Sequence, residues 1–479
     1  MKDLAARALD TARVRGATYA DVRVLRTMSE AISVKNGIVD ALSMNEDQGF
    51  GVRVVVEGAW GFASSSILTP EEADKTAALA VAIARASAQV RRKPVDLGPP
   101  VRETGVYRTP CELDPFAVSL EDKLALLMAA DKQMRHVAGL AIAQSSFNAI
   151  RIHKVFASSE GSNIEQEITE VGAGIEATAV AENDLQNRSY PNSSGGQWGG
   201  RGFELVTGAD LPGNAERIAA EAVALLTAKP CPSGNMDIVL SSSQVALQIH
   251  ESCGHAVELD RALGMEASFA GTSFLTPDKL GTERYGSPLI NITADGTTPG
   301  GLGTFGWDDE GVPAQRTPLI KAGVFVGYLT DRETAATLGL ASDGTSRADG
   351  WNRIPMIRMV NVNLEPGEGS LEDLIAGIDN GILFGTNRSW SIDDHRLNFQ
   401  FGTEIAWEIV NGKLGAILKN PTYTGITPQF WGSCDAVAGL GAWQLWGLPN
   451  CGKGEPMQVA HVGHGAAPAR FRGVRVGVV

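Results

Sequence analysis

Residues 229–258 read KPCPSGNMDIVLSSSQVALQIHESCGHAVE. Pro230, Pro232 and Gly234 interrupt both the helical and the strand period, so a domain boundary is expected near residue 230. Met236–Leu240 is apolar enough for a buried strand, and Ser241, Ser242 and Ser243 offer helix caps. A helix is expected from Gln244, carrying Val245, Leu247 and Ile249 into His250 and Glu251. One short stretch thus predicts a linker, a strand and a helix that ends in a cluster of polar side chains.

Upstream of this stretch the pattern alternates between helix and strand. Lys2–Gly16 reads as an amphipathic helix, and Tyr19–Ser66 as a meander of several short strands with turns at Lys35-Asn36-Gly37 and Glu57-Gly58. Thr69-Pro70-Glu71-Glu72 opens an Ala-rich helix reaching about Val90, because a capping hydroxyl precedes a proline at the first helical position. Ser119 and Asp122 open a second helix striped by Leu120, Leu124, Leu127 and Met128, residues that read as core. Residues 138–185 alternate as strands do, 189–202 reads as a Ser/Gly-rich loop, and Asn214–Ala228 reads as an amphipathic helix. Downstream of the boundary, short strands separated by glycines predominate, with Trp307, Trp351, Trp390, Trp407, Trp431, Trp443 and Trp446 among them. The expected fold class is α+β in two domains: a mixed α/β domain over 1–230 and a β-rich domain over 231–479 that carries the helix leading into His250 and Glu251.

Composition narrows the function classes. With 479 residues, 43% hydrophobic and 20% charged, the chain is long enough for two cores and has no apolar run that would span a membrane. The net charge of -14 disfavours a phosphate backbone as partner, so direct nucleic-acid binding is not expected. Cys111, Cys231, Cys253, Cys434 and Cys451 are odd in number and lack CxxC spacing. Together with the charged N-terminus this predicts a cytoplasmic protein whose thiols stay reduced.

The chemical signal is His250-Glu251-Ser252-Cys253-Gly254-His255. Zinc hydrolases usually place two imidazoles at i and i+4, about 40° apart around a helix, whereas i+5 leaves them about 140° apart. A shared ion therefore requires a bend, a π-bulge or a helix end within the motif, and Gly254 stands where such a distortion costs least. From spacing alone two readings stay open, a metal pair or hydrogen-bonded core histidines.

At these residues the chain resembles the TldD/PmbA family of metallopeptidases. The likeness extends to Glu258-Leu259-Asp260, Thr304–Gly311 (TFGWDDEG), Pro318–Leu329 (PLIKAGVFVGYL), Asn450–Lys453 (NCGK) and Gly49–Ser66 (GFGVRVVVEGAWGFASSS), and so covers essentially the whole chain. The resemblance implies zinc (Zn2+) held by His250, His255 and Cys451, with Glu251 as the general base toward a metal-activated water. Cys434 is the rival third ligand, and Cys253 reads as a packing residue. An intact HExxxH motif places the chain on the TldD side, because the PmbA (TldE) type of subunit lacks the histidine pair.

The implied function is a zinc-dependent peptidase that degrades or trims unstructured peptides and poorly folded proteins. The implied partner is a PmbA/TldE-like paralogue in a heterodimer, with a homodimer left open. The alternative is a non-catalytic adaptor whose metal is structural or absent, which the family's association with DNA gyrase regulation would suit. Asp308-Asp309-Glu310 reads as a solvated turn before a cation site, and His395, His461 and His464 read as structural. Trp431, Trp443 and Trp446 read as core before channel lining.

Overall fold

A computed structural model of the chain describes residues 1–269 and 271–477. The strands of the first half form one eight-stranded sheet. Ala59–Ser65, Ile38–Val56, Tyr19–Lys35, Leu140–Ser158, Asn163–Ala181 and Thr104–Arg108 lie side by side in that order, and Asp184–Tyr190 and Gln197–Gly199 also pair with Asn163–Ala181. Both expected hairpin turns form with positive φ, at Asn36 (50°) and Gly37 (80°) and at Glu57 (52°) and Gly58 (72°), the twist that antiparallel neighbours need.

The first strands are long rather than several and short. Tyr19–Lys35 and Ile38–Val56 have 17 and 19 residues. Between Ile38 and Gln48 the side chains are exposed, so the stretch lacks the apolar alternation by which a half-buried strand is recognised. The expected loop over 189–202 likewise contains the short strand Gln197–Gly199.

The helices start where their caps predict. Thr69 accepts a hydrogen bond from Glu72 N–H at the head of Pro70–Ala88, and Ser119 accepts from Asp122 N–H at the head of Leu120–Arg135. Lys2–Val14 and Pro70–Ala88 cover one core, built on Val22, Val24, Phe50, Val52 and Val54. Leu120–Arg135 and Leu211–Thr227 cover another, around Phe147, Val171 and Ile175.

In the second half a ten-stranded sheet holds the largest core. Gly234–Leu240 lies inside it, parallel to Asn380–Phe384 and antiparallel to Ala469–Val476, and Asn387–Ile392 forms one end of the strand order. The two halves meet through buried charge. Asp308, Asp309 and Glu310 are nearly inaccessible, which corrects the expected solvated turn. Lys154 donates to Asp309 at 2.5 Å, Arg53 donates to Glu310 at 2.9 Å, and Asp308 accepts the N–H groups of Glu310 and Val312 at 2.9 Å. A run of acids is solvated only when nothing faces it, and here Asp309 and Glu310 face cations from the first sheet while Asp308 is held by backbone N–H groups. Among the described residues no helix is long and apolar enough to cross a membrane.

Candidate metal centre

Ser241 caps the helix Ser242–Ile249 by accepting from Gln244 N–H, and the helix passes directly into a π-turn over His250–Gly254. His255 N–H donates to His250 C=O at 3.2 Å, so the backbone bond itself spans five residues. This widened turn is the distortion that i+5 spacing demanded, and it sets the two rings 4.9 Å apart, centroid to centroid. Gly254 has a further reason to lack a side chain, because a Cβ there would lie 2.1 Å from Met359 Sδ.

Cys451 arrives from the hairpin of Gln444–Lys453 with Gln458–Ala466. Its Sγ lies 3.6 Å from His255 Nε2, and one donor atom each from His250, His255 and Cys451 falls within 4.8 Å of the others. All three residues are buried. Of the alternatives, Cys434 lies outside this group, and Cys253 packs in the core.

The surroundings fix which ring nitrogens are free. His464 Nδ1 lies 3.0 Å from Val362 C=O, an acceptor only, so His464 donates there and presents a lone pair at Nε2. His250 Nδ1 lies 2.8 Å from that Nε2 and must therefore be the donor, which leaves the Nε2 of His250 as a bare lone pair. His255 Nδ1 donates to Glu258 at 2.9 Å, with the same result for its Nε2. Glu258 is held ionised. Burial would raise its pKa, but Lys453, His255 and Arg261 together bring it well below the usual carboxylate value. Lys453 in turn donates to both oxygens of Asp260 at 2.8 Å.

Burial pulls the His250 pKa down to about 4 and lowers that of His255, which favours the neutral form that a ligand ring needs. The cysteines differ from one another in the same sense. Burial pushes Cys253 and Cys434 up to about 12 and Cys231 up to about 11, and Cys111 is raised too. At Cys451 burial also raises the value, but His255 and Arg358 outweigh it and leave the thiol below its ordinary range. Two imidazoles whose Nδ1 atoms are engaged elsewhere and one thiol with a lowered pKa form a donor set that suits a divalent, thiophilic ion.

The three donors and Glu251 open onto a cavity of about 370 Å³, also lined by Leu247, Trp390, Arg396 and Leu448. Arg396 Nη1 donates to Glu251 Oε2 at 2.9 Å. Neither Arg396 nor His464 was singled out for the site from sequence; His464 lies outside the donor group, in keeping with a structural histidine, but the group it bonds is His250. Nothing local signals them, since they lie 145 and 214 residues from their partners. Glu258, three residues after His255, did carry a signal, because that spacing puts it on the same face of a helical turn. His395 bonds Thr272 and His461 bonds Glu170, as structural histidines do. Trp431 is fully buried beneath the π-turn, where its Nε1–H donates to Ser252 Oγ at 2.9 Å.

A buried group of two histidines and a cysteine beside a carboxylate, open to a cavity, suits a metallopeptidase. Three family models match the chain: PmbA/TldA metallopeptidase domain 1 over residues 20–84, the central domain over 113–229 and the C-terminal domain over 233–477. A metalloprotease of Methanocaldococcus jannaschii is 32% identical, covering 88% of this chain and 89% of its own length. A zinc metalloprotease TldD homolog of Saccharolobus solfataricus is 22% identical over 86% and 87%. The crystal structure of TldE from Thermococcus kodakarensis superposes with a TM-score of 0.75 at 18% identity, covering 99% of this chain and all of that one, and so shares the fold. The chain belongs to the PmbA/TldD family of metallopeptidases.

Proposed function

We propose that the chain is a zinc-dependent peptidase that trims or degrades unstructured peptides and poorly folded proteins. In this reading residues 231–479 carry the chemistry and residues 1–230 form a second unit, with zinc on His250, His255 and Cys451. The observation that carries it is the convergence of these donors within 4.8 Å, with both imidazole Nδ1–H groups committed elsewhere. Zinc bound there would polarise the scissile carbonyl and acidify a water molecule.

The chain's own residues would do the rest. Glu251, on the cavity wall beside the ligands, takes the water proton and delivers it to the leaving amine. Glu258 and His464 keep the ligand rings in their productive tautomers. Asn387–Ile392, the end strand of the large sheet, contributes Trp390, Ser391 and Ile392 to the cavity wall, which favours an extended peptide added as a further strand. A TldE-like paralogue is the proposed partner, in line with the shared fold. The cytoplasm is the proposed compartment, where Cys451 would stay reduced.

The test is Glu251→Gln, assayed on an unstructured peptide beside metal content. Turnover is expected to fall about 10²- to 10⁴-fold while zinc is retained. Undiminished cleavage by this variant would remove Glu251 from the role.

A further inference from the structure

We propose that Arg396 forms a subsite for a carboxylate of the substrate, so that the enzyme selects peptides carrying a negative charge beside the bond that is cut. The inference rests on the peptidase reading above. Among the described residues lining the cavity, Arg396 is the one lysine or arginine. It sits in the loop between Asn387–Ile392 and Asn398–Thr403, and that loop is fixed from several sides. Asp393 accepts from Leu397 N–H at 2.8 Å and Asn398 N–H at 3.1 Å, and Thr427 Oγ1 donates to Arg396 C=O at 2.9 Å. Arg396 itself has φ 62°, a conformation a non-glycine residue keeps only where its surroundings hold it.

A guanidinium has five N–H donors. Among the described residues the only group that hydrogen-bonds this one is Glu251, through a single bond, and its Nε is buried without a partner. The other charged groups felt at Arg396 are Arg261, which repels it, and Glu258 and Cys451, which attract it. Glu258 is already engaged by His255 and Lys453, and Cys451 is a candidate ligand. Arg396 is thus a largely buried cation with unused donors on the wall of the cavity that holds the metal donors. A carboxylate matches the guanidinium fork bidentately and can share it with Glu251. Leu247, Trp390 and Leu448 supply apolar wall for the side chain of the residue that carries the charge, and Trp390 is 46% exposed. That carboxylate has two sources, the α-carboxylate of a peptide's last residue or an Asp or Glu side chain within the peptide.

The experiment compares three peptides on the zinc-loaded enzyme: one with a neutral last residue as its C-terminal free acid, the same peptide as its C-terminal amide, and the amide with that last residue replaced by Glu. The wild type is expected to cut at least one carboxylate-bearing peptide with kcat/KM about tenfold or more above the neutral amide. Arg396→Gln should bring that ratio near one, and Arg396→Lys should leave it intermediate. A ratio taken within each variant cancels whatever the substitution does to Glu251. Preference for the free acid assigns the α-carboxylate, and preference for the Glu amide assigns a side chain. Equal cleavage of all three by the wild type, or a ratio unmoved in Arg396→Gln, overturns the subsite. If none is cut, the peptidase reading fails instead, and calorimetric binding of the same peptides decides the subsite. Tighter binding of an acid that is lost in Arg396→Gln sustains it, and equal binding overturns it.

Discussion

The buried charges between the two halves and those behind the candidate metal centre are built from the same parts but end differently. At the junction, Arg53 donates to Asp21 at 2.7 and 2.9 Å and to Glu310 at 2.9 Å, and Lys154 closes on Asp309. Each of these cations is spent on a carboxylate of the protein. Behind the metal centre Lys453 neutralises Asp260 and Glu258, and Glu258 orients His255, but the relay stops at an imidazole nitrogen facing Cys451 Sγ at 3.6 Å. Buried ion pairing is therefore no mark of function by itself. What distinguishes the second cluster is that it ends at His250, His255 and Cys451, whose donor atoms lie within 4.8 Å of one another.

Breaking the junction should have the largest effect on stability. Arg53→Met leaves Asp21 and Glu310 buried without their cation, which should cost about 3–5 kcal/mol in chemical denaturation. Protein that remains folded should bind metal as before. A loss of metal affinity in that variant would show that the two clusters are coupled after all.

A smaller and more selective effect is expected from the relay to His250. His464→Leu removes the acceptor that holds the His250 Nδ1 proton, and metal affinity measured by chelator competition should weaken about 10- to 100-fold. His464→Gln, whose amide oxygen can still accept, should recover much of this. If both variants bind metal like the wild type, His464 does not set the tautomer of His250.

The smallest effect is a pH slope. His250 has a folded pKa of about 4 against an ordinary 6.5, so between those values the unfolded chain binds more protons. Its contribution to the stability of the metal-free protein is complete above about pH 6.5, declines as pH falls toward 4 and is flat below. It amounts to at most about 3 kcal/mol. Asp331 and Asp343, raised by burial to about 7 and about 6, act in the opposite sense, because their folded forms bind the extra proton. Stability curves of wild type and His250→Leu should therefore diverge above pH 4 and become parallel above 6.5. Curves parallel throughout would mean that His250 titrates normally.

How much of this was legible in the sequence depended on how local its cause was. Thr69 and Ser119 announced their helices, and the i+5 spacing of His250 and His255 announced that the helix between them had to be deformed. Long strands were missed where both faces of Ile38–Gln48 are exposed and leave no alternation to detect. Asp308-Asp309-Glu310 was misread because charge alone does not say whether a cation waits opposite. Lys154 and Arg53 are 155 and 257 residues from the acids they meet. His464 and Arg396 were out of reach for the same reason, as only the folded sheet brings them to His250 and Glu251.

In the proposed function His250, His255 and Cys451 hold one zinc ion for catalysis. The most direct test is the metal content of purified protein by mass spectrometry, wild type beside Cys451→Ser and His255→Ala, with peptide cleavage measured on the same samples. About one zinc per chain in the wild type, lost together with cleavage in both variants, is the predicted result. Zinc retained in both variants, or cleavage by zinc-free wild-type protein, would contradict it.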